Sequence, residues 1–78
     1  MINVFDAQLK VVKNEINKRV NGIKLMETSG KLCYCFSFGG FSYDSFEDLI
    51  FIDVFTGEEI ENPKNEETHY LAGIERQF

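Results

Sequence analysis

The run Ile23-Lys24-Leu25-Met26-Glu27-Thr28-Ser29-Gly30-Lys31-Leu32-Cys33-Tyr34-Cys35-Phe36-Ser37-Phe38 decides how this chain folds. Two alternating segments flank Ser29-Gly30, a two-residue loop of the kind that closes a β-hairpin. With that loop as the turn, Thr28 falls opposite Lys31, Met26 opposite Cys33, and Lys24 opposite Cys35. Side chains on a strand alternate between faces. One face therefore carries Ile23, Leu25, Leu32, Tyr34, Phe36 and Phe38, with Glu27 at its frayed end. The other carries Lys24, Met26, Thr28, Lys31, Cys33, Cys35 and Ser37. The first reads as a core face and the second as mixed.

Upstream of the hairpin, Asn3 can cap a helix, and Asp6 falls in its first turn, where a carboxylate suits the helix dipole. Phe5, Leu9, Val12, Ile16 and Val20 follow at spacings of four, three, four and four, the stripe of an amphipathic helix. Lys10, Lys13, Asn14, Asn17 and Lys18 fall mostly off it. Asn21-Gly22 ends the pattern as a C-cap, so the expectation is a helix over 4–21 laying that stripe on the aromatic face of the hairpin.

Downstream, Gly39-Gly40 breaks the second strand. Ser42, Asp44 and Ser45 are capping types, and they allow one helical turn before Leu49, with Phe46, Leu49 and Ile50 inward. Leu49 to Phe55 is apolar on both parities, which fits a strand covered on both faces or a buried helix. The β-branched Ile50, Ile52 and Val54 favour strand. Thr56-Gly57-Glu58-Glu59 reads as a turn, and 62–67 as a polar loop around Pro63. From His69 onward the chain fits a last strand, with Tyr70, Ala72 and Ile74 on one face, or a helix capped by Thr68. Strand is slightly favoured. The expected fold is α+β: one N-terminal amphipathic helix packed on an antiparallel sheet of three to five strands, as two layers in a single domain over 1–78.

Composition narrows the class. Eight Phe and three Tyr in 78 residues supply the dense core that so small a domain requires. At 44% hydrophobic and 27% charged the chain is globular rather than disordered. No apolar run approaches the ~18 residues of a membrane-spanning helix, and no secretory leader is legible ahead of Asp6. Cys33-Tyr34-Cys35 is no disulfide scaffold, because neighbours at i and i+2 on an extended strand sit too far apart to bridge. A reduced, cytoplasmic protein is expected.

Charge is unevenly placed. Residues 1–43 hold six basic and three acidic groups, a net of +3, whereas 44–78 hold ten acidic groups against Lys64 and Arg76, a net of −8. Such asymmetry speaks to partners rather than to fold. It also disfavours nucleic acid, which requires a basic surface; Lys10, Lys13 and Lys18 on the helix are better read as a solvated face.

Chemistry has little support. Cys33 and Cys35 with His69 could hold a metal, but zinc takes four ligands, usually in pairs separated by two to four residues. One intervening residue on a strand fits two packed thiols better. No activated-nucleophile loop or phosphate cradle is present, and Glu58-Glu59 and Glu66-Glu67 fall in turns where charge is solvated. The more informative feature is aromatic and acidic: Phe38 and Phe46 read as core, while Phe41 and Tyr43, interleaved with Asp44, Glu47 and Asp48, have the character of loop anchors in an interface.

The sequence therefore leads to a small acidic intracellular protein-binding module with no catalytic activity and no cofactor. Phe41, Tyr43, Asp44, Glu47, Asp48, Glu58, Glu59 and Glu61 would meet another protein with a basic surface, since opposite charge speeds encounter and sets specificity. An inhibitor or adaptor of the kind encoded by phages and mobile elements is the concrete form, by analogy of size and charge. The alternatives are a homo-oligomeric structural protein, joined through edge strands or helix to acidic half, and a metal or redox site at the cysteines.

Overall fold

The computed structural model describes residues 1–14, 20–38 and 49–74. Asn3 starts the helix as its pattern requires: its Oδ1 accepts the Phe5 N–H at 2.7 Å, and its carbonyl accepts the Ala7 N–H at 3.1 Å. Helix α1 spans Val4–Asn14, with Asp6 in its first turn and Lys13 in its last. Of the helix expected over 4–21, residues 15–19 lie outside the described residues, while Val20 and Asn21 are not helical and Gly22 opens a strand rather than closing a helix as its C-cap.

The hairpin forms in the expected register. Strand β1 (Gly22–Thr28) pairs antiparallel with β2 (Lys31–Ser37), with Thr28 opposite Lys31, Met26 opposite Cys33 and Lys24 opposite Cys35. Ser29 and Gly30 have φ of 50° and 80°, the two positive angles that a type I′ turn demands. Strand β3 (Ile50–Asp53) adds to β2, and β4 (Thr68–Gly73) adds to β1, giving an antiparallel sheet of order β3-β2-β1-β4. The fold is thus α+β, one helix packed on a four-stranded open sheet. Of the two readings of the stretch from His69, the strand is the one formed as far as Gly73, with a bulge beside Leu25 and Met26, and 75–78 lie outside the described residues.

Helix α1 meets the sheet by a different face from the one its sequence suggests. Ala7 and Val11 are buried with Ile23, Tyr34, Phe36 and Ile52, and Val4 packs at their margin. Phe5, Leu9 and Val12 are instead 54%, 67% and 40% exposed. The reason is volume. The sheet already presents Tyr34 and Phe36 in edge-to-face contact, with ring centroids 6.5 Å apart. A helix can approach such a surface closely with Ala and Val beneath it, whereas Phe and Leu there would overfill the core. The N-terminus is tied down beside it: Ile2 N–H donates to Val54 O at 2.6 Å, and the Tyr34 hydroxyl donates to Ile2 O at 2.8 Å.

The face expected to be mixed is a second core. Cys33, Cys35 and Phe51 are buried together, with Met26, Leu49 and Ile60 packed against them. Phe51 stands directly opposite Cys35 across the β2–β3 pairing, while its neighbour Ile52 joins the helix-side cluster. Both parities of β3 are therefore covered, as its unbroken apolar run requires. Among the described residues no helix is long and apolar enough to cross a membrane.

Candidate functional site

The acidic stretch from Glu58 to Glu67 begins at a turn built by Asp53. Asp53 Oδ1 accepts the N–H groups of Phe55 at 2.7 Å and Thr56 at 3.1 Å, an Asx-type turn. Gly57 closes it, with φ of 75° and its N–H donating to Asp53 O at 2.9 Å. The Lys10 ammonium then donates to Gly57 O at 3.0 Å, fixing the turn to the helix. From there the chain doubles back along the outer edge of β3. Asp53 N–H donates to Glu58 O at 2.9 Å, and Ile60 N–H to Phe51 O at 2.8 Å. Ile60 turns in against the cysteine-side cluster, while Glu58, Glu59 and Glu61 stay exposed.

The far end of the stretch is anchored to the hairpin tip. A 3₁₀ turn over Asn65–Glu67 leads into β4. Ser29 N–H donates to Glu67 O at 3.0 Å, and Glu67 N–H to Lys64 O at 3.0 Å. The Thr68 hydroxyl also donates to Lys64 O, at 2.6 Å. Glu66 and Glu67 are exposed, and the ion pair of Lys64 with Glu67, at 3.8 Å, lies in solvent, where such contacts add little.

The segment thus runs from the β3 edge of the sheet to the β4 edge, with its backbone held at both ends. Five glutamates against Lys64 give it a net charge of −4. Glu58, Glu59 and Glu61 follow the outer edge of β3, where Glu59 pairs with Ile52. Glu66 and Glu67 stand at the segment's far end, by the hairpin tip, in what the sequence presents as a polar loop. Their place depends on the Ser29–Glu67 bond between residues 38 apart in the chain. Phe41, Tyr43, Asp44, Glu47 and Asp48 lie outside the described residues, as does Phe46.

The thiols have a different character. Burial pushes Cys33 up to about 11, helped by the Asp53 carboxylate, while the Thr28 backbone N–H works the other way. Burial and the neighbouring Cys33 push Cys35 up to about 12, against a smaller opposing effect of Lys24. Both are held as neutral thiols at pH 7, whereas nucleophiles and metal ligands are thiolates. Cys33 Sγ–H donates to Met26 O at 3.3 Å. His69 pairs with Glu27 on β1, and Glu27 pairs with Leu32, so the imidazole belongs to the opposite sheet face from Cys33 and Cys35. Among the described residues no three His, Cys, Asp or Glu side chains gather as a metal site would require.

Comparison of the chain with protein-family models, with curated proteins and with solved structures finds no match to any of them.

Proposed function

We propose that this chain is a small, non-catalytic, cytoplasmic binding module that presents the ledge from Glu58 to Glu67 to a basic surface on another protein. The observation that carries this reading is the contrast along the ledge between fixed backbone and exposed side chains. Backbone bonds to β3 at one end and to the hairpin tip at the other hold it in place. Its five carboxylates remain in water. Pre-ordered charge of this kind costs little further entropy when a partner docks, and it steers a cationic surface toward the ledge. Helix α1, with Lys10 and Lys13, packs on the opposite face of the sheet from Ile60. An inhibitor that occupies a nucleic-acid-binding groove in competition with phosphate is the form this takes most simply.

The test is capture from a lysate by the immobilised chain over a salt series, beside the variant Glu58→Gln/Glu59→Gln/Glu61→Gln. Neutralising three exposed carboxylates leaves the fold intact. Capture of a basic protein by the native chain, weakened by salt and lost in the variant, is the expected result. Capture indifferent to both removes the ledge from recognition.

A further inference from the structure

The exposed stripe of α1 carries a second surface, on a different element from the acidic ledge. Phe5, Leu9 and Val12 recur at spacings of four and three, the a/d pattern of a helix seam. They face away from the sheet, because Val4, Ala7 and Val11 already seat the helix. Three large side chains in line, each 40% or more exposed, form a continuous apolar strip rather than scattered surface residues.

The charges beside the strip select what covers it. Asp6 follows Phe5 and Lys13 follows Val12, so the two occupy the same heptad position on the same flank, one turn-pair apart. Both are exposed, and neither forms an ion pair among the described residues. When two copies of this helix lie antiparallel about a two-fold axis at Leu9, that flank meets itself reversed. Asp6 then faces Lys13 of the second copy, and Lys13 faces its Asp6. Phe5 meets Val12, and Leu9 meets Leu9. In a parallel pairing these positions face the other flank of the second copy, where Gln8 stands, so no Asp6–Lys13 pair forms. The surface is self-complementary in one orientation only.

We propose that α1 forms an antiparallel homodimer seam through Phe5, Leu9 and Val12, with reciprocal Asp6–Lys13 pairs. Over its described residues the helix is ~16 Å long, so the contact that these residues make is smaller than a standard interface of roughly 800 Å² per partner and the dimer is weak. It leaves the ledge uncovered, since Glu58 to Glu67 lies on other elements.

Sedimentation equilibrium of the whole 78-residue chain, from ~10 µM to ~1 mM as a small interface requires, decides the matter. The native chain is expected to move from 9.0 kDa toward twice that mass. Leu9→Asp, Asp6→Lys and Lys13→Glu alter exposed positions, and each is expected to stay monomeric with an unchanged helical circular dichroism signal. An equimolar mixture of Asp6→Lys with Lys13→Glu restores opposite charges across the seam and is expected to dimerise. A native chain that stays monomeric throughout overturns the proposal. So does a dimer that survives Leu9→Asp, which would move the contact to another surface such as the outer edge of β4. A mixture of the two charge variants no more associated than either alone overturns the antiparallel pairing.

Discussion

The Thr28 hydroxyl lies 2.8 Å from the Thr68 hydroxyl across the first rung between β1 and β4. Thr68 has one hydroxyl proton and directs it to Lys64 O, so Thr28 is the donor and Thr68 the acceptor. The chain Thr28–Thr68–Lys64 joins the sheet edge to the acidic ledge. Ser37 is equally buried at the other end of the hairpin, but its hydroxyl has no hydrogen-bond partner among the described residues. The two sites predict opposite outcomes. Thr28→Val is expected to destabilise by about 1 kcal/mol, the net worth of a hydrogen bond. Ser37→Ala, which removes an unpaired buried polar group, is expected to be neutral or stabilising by up to about 1 kcal/mol. Urea denaturation of the two variants measures both.

Cys33 and Cys35 make stability fall at alkaline pH. In the folded chain they hold their protons to about 11 and about 12, whereas unfolded thiols release theirs near ~8.5. Below the unfolded value both states are protonated and the full stability is present. Above it the unfolded state binds fewer protons, so the unfolding free energy declines as pH rises toward the folded values. Urea midpoints measured from pH 7 to 11 are expected to drop beyond pH 9, and replacing both thiols with Ala is expected to flatten that drop. A thiol reagent at pH 8 is expected to label the native chain far more slowly than the urea-unfolded one.

Two glycines separate backbone strain from steric strain. Gly30 and Gly57 have φ of 80° and 75°, where any side chain is unfavourable. A Cβ on Gly30 meets nothing within 4 Å, whereas one on Gly57 would lie 2.7 Å from Lys10 Nζ and 3.3 Å from Ile2 Cδ1. Gly30→Ala is expected to cost about 1 kcal/mol from conformation alone. Gly57→Ala is expected to cost about 1–2 kcal/mol more, because Lys10 must leave its bond to Gly57 O. Thermal or urea unfolding of the pair gives the difference, and equal losses would place the Lys10 contact outside the folded structure.

The sequence carries the hairpin almost completely, because Ser29-Gly30 is a strong local turn signal and a period of two then assigns every side chain. Strand β3 is legible for a similar reason, its apolar residues on both parities matching burial on both faces. The helix start at Asn3 is legible from its cap. The helix's orientation is not. Phe5, Leu9 and Val12 form the longer and more apolar stripe, and periodicity alone favours it. The choice was made by the opposing surface, where Tyr34 and Phe36 take the smaller Ala7 and Val11, with Val4 at their margin. The same limitation hid the far end of the ledge: Glu58 to Glu61 stand out by composition, but Glu66 and Glu67 are held at the hairpin tip by a backbone bond to Ser29 that no local pattern encodes.

Which face of α1 rests on the sheet underlies both the outward apolar strip and the bond that Lys10 makes to Gly57 O. The unfolding free energies of Val11→Ala and Leu9→Ala, compared at a concentration where the chain is monomeric, test it most directly. Val11 is 2% exposed and Leu9 67%. Val11→Ala is expected to cost about 2 kcal/mol, and Leu9→Ala less than about 0.5 kcal/mol. A larger loss at Leu9 than at Val11 would mean that the helix lies on its other stripe, and would contradict the account.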